Sequence, residues 1–195
     1  MKGPKVEIST GCLAFLCAYG VFDPMGSFWP FVLSVALHEG AHVIVLLLCR
    51  REILEIRGSL GGFLIRTAPL SYGRELLTAA AGPVMNGLLF LLTAEKYPVW
   101  ALVNVVLMAY NLLPFYPLDG GRILRGILAL ILPPTCAELI ERGIRICAFA
   151  ALTVGAMYMT FFLHSGLWPV MFLGFLFFRV GETAFSHGKT ILCNS

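Results

Sequence analysis

Residues 28–49 read FWPFVLSVALHEGAHVIVLLLC, an apolar run long enough to cross a bilayer as a helix, yet it carries His38, Glu39 and His42 near its middle. Ionisable groups at that depth cost about 2.5–3.5 kcal/mol each on insertion scales, so an interaction inside the protein has to offset them. Four residues apart on a helix, the two histidines lie about 40° apart around the axis and roughly 6 Å apart along it, close enough to share one metal ion. Glu39 falls on the adjoining face, where it reaches a water beside the metal rather than the metal itself.

Zinc suits this set chemically. Neutral imidazole is a good Zn²⁺ ligand, and a catalytic zinc commonly takes three protein ligands, leaving a fourth position where the pKa of water falls to about 7. Glu39 is placed to take a proton from water attacking a carbonyl and to hand it to the leaving amine. The bland alternative is a histidine pair satisfied by polar neighbours in a helix bundle. In a membrane helix the functional reading takes precedence, because ionisable residues there mark functional sites by default.

The rest of the composition agrees. Hydrophobic residues make up 58% of the 195 and charged residues 13%, half the roughly 25% of soluble domains. The net charge of +3 is spread around apolar runs, without the continuous basic patch of a nucleic-acid binder. Cys12, Cys17, Cys49, Cys136, Cys147 and Cys193 form neither a C-x-x-C pair nor a secreted disulfide framework, and are expected to act as small packing hydrophobes. The first apolar run ends at Asp23-Pro24 without a small-residue cleavage site. It is expected to remain as a helix.

Six candidate spans follow, near Ser9–Phe22, Phe28–Cys49, Glu75–Ala94, Val99–Leu113 with an irregular continuation past Asp119, Ile144–Leu163 and Leu167–Val180. The expected fold is an all-α polytopic membrane protein of about six transmembrane helices, one integral-membrane domain over residues 1–180 with a short cytoplasmic tail at 181–195. In that layout every Lys and Arg except Lys96 falls on one side, which puts both termini in the cytoplasm. Gly82-Pro83 and Pro114 to Gly121 interrupt the third and fourth spans. Non-helical backbone at membrane depth survives only where protein buries it or a wet cavity receives it, so these breaks point toward the site.

The connector after the second span is the longest. Glu52 to Arg57 and Leu60 to Thr67 flank Gly58-Ser59 and are rich in β-branched or bulky residues, which predicts a β-hairpin or small sheet with its turn at Gly58-Ser59. A strand edge there is able to take an extended substrate through main-chain hydrogen bonds.

A third metal ligand is offered by the segment Asn111-Leu-Leu-Pro-Phe-Tyr-Pro-Leu-Asp119-Gly-Gly-Arg122, in which two prolines and two glycines unwind the chain around a carboxylate between apolar flanks. Asp119 either completes a His-His-Asp site or caps the helix starting near Gly120, and ligation is preferred. Asn111 supplies an amide for a substrate carbonyl or a developing oxyanion.

Together, the membrane-embedded His-Glu-x-x-His, the Asn-Leu-Leu-Pro-x-x-Pro-Leu-Asp-Gly-Gly-Arg stretch and Ala81-Gly82-Pro83-x-x-Asn86 between them resemble the site-2 protease family of intramembrane zinc metalloproteases, in the family's order. The compact layout is most similar to the branch that processes a sporulation pro-sigma factor, here without the nucleotide-sensing CBS domain, so ATP control through such a domain is not expected. The resemblance implies His38, His42 and Asp119 as zinc ligands, Glu39 as catalytic acid/base, and Asn111 and Asn86 as residues near the substrate. It also implies a membrane-tethered protein substrate, a bacterial cell membrane and a membrane-protein regulator as a candidate partner. His164 and His187 match none of these motifs and are expected in a loop and the tail. Two other classes place such residues in a membrane: a metal transporter, which calls for a second polar set along its route, and a catalytically silent scaffold that binds helices.

Overall fold

A computed structural model describes residues 5–23, 25–50, 53–59, 62–67, 70–164, 166–178 and 180. Its elements are β1 (Lys5–Ile8), α1 (Thr10–Val21), α2 (Phe28–Leu48), β2 (Ile53–Ser59), β3 (Gly62–Thr67), α3 (Tyr72–Thr93), α4 (Pro98–Asn111), α5 (Asp119–Ile131), α6 (Pro134–Phe161) and α7 (Trp168–Phe178). They fall into two compact units, Met1–Leu112 and Leu113–Ser195.

In the first unit, α2, α3 and α4 pack on one another. The start of α2 is held from upstream: Asp23 Oδ2 accepts the Phe28 N–H at 2.7 Å, and its Oδ1 accepts the Ser27 hydroxyl at 2.8 Å and the Met25 N–H at 3.3 Å. Desolvation pushes the Asp23 carboxyl up, but these hydrogen bonds outweigh it and hold the group below its ordinary value. At the other end the Cys49 N–H reaches the Val45 carbonyl at 2.9 Å, and Arg50 turns into the left-handed region at φ 53, where a helix cannot continue. Pro98 opens α4 at a position where its missing N–H costs nothing.

The interior of this unit holds many polar side chains, while its exterior is apolar. Ser34, His38, His42, Thr78, Asn86 and Asn104 are buried, while Leu37, Ile44, Leu48, Leu88, Leu92 and Leu102 are exposed. Apolar surface on that scale is not stable in water and fits a lipid surround. Among the described residues, three helices are long and apolar enough to cross a membrane, Phe28–Leu48, Tyr72–Thr93 and Pro134–Phe161, and Pro98–Asn111 and Trp168–Phe178 are shorter apolar helices.

The connector holds β2 and β3 as an antiparallel pair, with Ile56 opposite Ile65 and Ser59 opposite Gly62. Gly58 and Ser59 are therefore strand residues rather than the turn; Leu60 and Gly61 lie outside the described residues. A third strand was not expected. β1 pairs in parallel with β2, Lys5 opposite Glu55 and Ile8 opposite Gly58, giving the order β1-β2-β3. Four residues carry too little periodicity to announce a strand, and the partner lies some fifty residues away across two helices.

The second unit is anchored by Phe115 and Leu118, 2% and 1% exposed. The Phe115 ring meets Phe149 of α6 edge-on at 6.4 Å. α6 begins ten residues before the expected span, because Pro134 opens it and the charged turns that follow are amphipathic, with Arg145 3.8 Å from Glu141. Cys17, Cys136 and Cys147 are exposed thiols rather than buried packing residues. They sit on helix faces turned outward, where a lipid surround accepts a small apolar group as readily as a core does.

Candidate metal centre

His38 and His42 occupy successive turns of α2 and are each 4% exposed. Their environment comes from one face of α3, where Thr78, Gly82 and Asn86 recur at four-residue spacing. The His42 Nδ1–H donates to the Thr78 carbonyl at 2.7 Å, and the His38 Nδ1–H donates to Asn86 Oδ1 at 2.8 Å. Numbers rise along α2 as they fall along α3, so the helices run antiparallel. A carbonyl only accepts, so each Nδ1 carries a proton, and in the neutral ring Nε2 presents a lone pair.

Those two lone pairs face each other. His38 Nε2 and His42 Nε2 are 3.2 Å apart, with the rings nearly perpendicular at 81°. Two bare lone pairs at that distance repel, so the contact calls for a proton or a metal cation between the nitrogens. Ligands about 2.0–2.1 Å from a tetrahedral zinc sit roughly 3.3 Å from each other. The spacing, the donor chemistry and the Nδ1 partners that orient metal-bound histidines all fit zinc.

Gly82 makes the arrangement possible. A Cβ built there would collide with Nε2 and Cε1 of His38 and Nε2 of His42, so only glycine lets α3 pass this close to the imidazoles. Pro83 follows within the helix and removes the hydrogen bond to the Ala79 carbonyl. Glu39 is half-buried beside the pair. One turn earlier on α2, Ser34 accepts the Trp100 indole N–H at 2.9 Å, and the Asn104 Nδ2–H donates to the Trp100 carbonyl at 2.9 Å.

Asn111 closes α4 and is half-buried. In the second unit, Asp119 is buried in the first turn of α5, where the helix dipole favours a carboxylate. Leu118, not Asp119, is the N-cap residue, and no side-chain cap bond is made. Arg122 Nη1 lies 3.6 Å from Asp119 Oδ1. The preceding loop folds back so closely that a Cβ on Gly121 would strike the backbone of Phe115 and Tyr116. His164 lies in a turn after α6 with φ 52; His187 is outside the described residues.

Sequence reasoning missed the Thr78 carbonyl and the Ser34, Trp100 and Asn104 set. The available signal was the repeat of small or polar residues every fourth position on two apolar helices.

The comparisons with known proteins cover parts of this architecture. Residues 94–154 match the model of peptidase family M50, a stretch that includes Asn104, Asn111 and Asp119. A zinc metalloprotease of Methanocaldococcus jannaschii is 32% identical over 149 residues, covering 66% of this chain and 44% of that protein, so the chain spans less than half of its length. The solved site-2 protease from Methanocaldococcus jannaschii superposes with a TM-score of 0.65 at 22% identity, covering 93% of this chain and 91% of that one. The chain has the site-2 protease fold.

Proposed function

We propose that this protein is an intramembrane zinc metalloprotease that hydrolyses a peptide bond within or beside a membrane-associated segment of a tethered protein, releasing or activating a regulatory protein. The observation that carries this is the convergence of His38 and His42 Nε2 at 3.2 Å, each ring oriented by a bond at Nδ1, on a helix apolar enough to span a bilayer. Asp119 is assigned as the third ligand; all three donors are buried, and a carboxylate beside two imidazoles is a donor set that zinc accepts. Bound there, zinc supplies a Lewis acid that polarises the substrate carbonyl and makes water acidic enough to attack near neutral pH.

The chain's own groups do the rest. Glu39 takes the proton from the attacking water and passes it to the departing amine. Asn111 donates an amide N–H to the substrate carbonyl oxygen as charge develops on it. Asn86 fixes the His38 ring. A helical substrate hides its scissile carbonyl in its own hydrogen bonds, and β3, at the edge of the sheet, is assigned to receive the unwound segment as an added strand. Counting the shorter apolar helices and α1 as spans gives an even number, and with the Lys and Arg bias this reading puts both termini on the cytoplasmic side.

Reconstituted in vesicles with a membrane-tethered reporter, the protein should cleave it, lose cleavage on zinc chelation and regain it on zinc addition. Asp119→Ala should lower bound zinc from about one per chain. Zinc uptake without cleavage would make the protein a transporter, and zinc-independent substrate capture without cleavage would make it a scaffold.

A further inference from the structure

The buried interior of the first unit holds two polar atoms without a hydrogen-bond partner among the described residues: Asn86 Nδ2, a donor, and Asn104 Oδ1, an acceptor. Both side chains are 0% exposed. Asn86 lies seven residues before the end of α3 at Thr93, and Asn104 six residues after the start of α4 at Pro98. At 1.5 Å per residue they stand about 10.5 and 9 Å from the short connection, at one level of two packed antiparallel helices.

Their polarities are complementary, and the order is dictated step by step. The Trp100 carbonyl only accepts, so Asn104 turns Nδ2 toward it and leaves Oδ1 as an acceptor. Asn86 turns Oδ1 toward the His38 Nδ1–H and leaves Nδ2 as a donor. Buried orphans of this kind are ordinarily satisfied by an internal water making two to four hydrogen bonds.

We propose that Asn104 is a positioning residue for His38, acting through one ordered water that accepts from Asn86 Nδ2–H and donates to Asn104 Oδ1. An Asn side chain has nearly the same shape after a half-turn of its amide, so shape alone does not select its orientation. With Asn86 reversed, Nδ2–H would face His38 Nδ1, the ring proton would move to Nε2, and the lone pair offered to the metal would be lost. The Trp100 carbonyl thereby sets, through two amides and a water, which histidine nitrogen is a ligand. This inference rests on the zinc reading above.

The test measures zinc affinity of the purified full chain by chelator competition, the visible spectrum of the cobalt-substituted protein, and unfolding of the metal-free protein. Asn104→Leu should weaken zinc about 10- to 100-fold, the range for partners that orient metal ligands, and alter the cobalt spectrum. Unfolding of the metal-free protein shows that the variant is folded, so a loss of zinc affinity is read on the native chain. The double variant Asn86→Leu/Asn104→Leu should bind no more weakly than Asn86→Leu alone. In an Asn86→Asp background, where either carboxylate oxygen accepts from His38, Asn104→Leu should leave zinc affinity unchanged. Asn104→Met repeats the comparison if Asn104→Leu does not fold. Unchanged zinc affinity in folded Asn104→Leu, additive losses in the double variant, or an undiminished loss in the Asn86→Asp background would overturn the relay. A wild-type chain that binds no zinc would overturn the metal site itself.

Discussion

Replacing Gly82 by alanine adds one methyl group where the structure has no room for it. The new carbon would overlap His38 Nε2 and Cε1 and His42 Nε2, and the two nitrogens are the atoms assigned to the metal. Overpacking of this size costs about 1–3 kcal/mol, and if it falls on the metal-loaded form it weakens zinc by a factor of about 5 to 150. The metal-free form has an escape, since imidazoles not tied to a metal rotate away. Alanine also improves a helix interior by up to about 1 kcal/mol over glycine. Gly82→Ala should therefore leave the metal-free unfolding temperature unchanged or higher, while the extra stability gained on adding zinc shrinks. Gly87→Ala is the control on the same helix, because its methyl would meet only Met108 Sδ at an ordinary 3.6 Å and zinc affinity should not change. Thermal unfolding with and without zinc, with chelator competition, reads both quantities. A folded Gly82→Ala protein with wild-type zinc affinity would refute the placement of the metal between the two Nε2 atoms.

Glu39→Gln should retain zinc and lose turnover by roughly a hundredfold or more, as removal of a general base does; single-turnover cleavage of the reporter at matched zinc content checks it, and near-normal turnover would reassign the base. The Asp23 carboxyl is held below its ordinary value of 3.8, so its stabilisation of the α2 start is fully present above 3.8 and lost as pH falls through the folded value. The unfolding-temperature gap between wild type and Asp23→Ala should close over that acid range, and a gap independent of pH would reject the capping role. Proline scanned through β3 should include at least one position that strongly impairs cleavage with zinc and folding intact, where alanine is milder, because edge pairing draws on backbone donors. The structure confines this test to β3, since β2 is paired on both sides and proline there would damage the sheet itself. Uniform tolerance would leave the segment a passive loop.

The connector shows how far local pattern reaches. Bulky and β-branched residues on either side of Gly58-Ser59 point to two strands, and β2 and β3 lie there. Their turn and the third strand escaped, because a glycine-serine pair is equally at home inside a strand and a parallel partner leaves no mark on its neighbours in sequence. Asp119 was legible as a buried carboxylate between prolines and glycines. That it occupies the first turn of α5 without capping it depends on how the Phe115–Leu118 turn folds back on Gly121.

By itself the amino-acid sequence determined that His38 and His42 share a helix face with Glu39 beside them, since a spacing of four is a local property of any α-helix. It also determined that this helix is apolar enough for a bilayer. Only the tertiary structure decided which nitrogen of each ring is held by a neighbour and which is left for a metal. That choice rests on the Thr78 carbonyl and the Asn86 amide, 36 and 48 residues away, which reach the rings because Gly82 lets α3 approach where any side chain would hold it off.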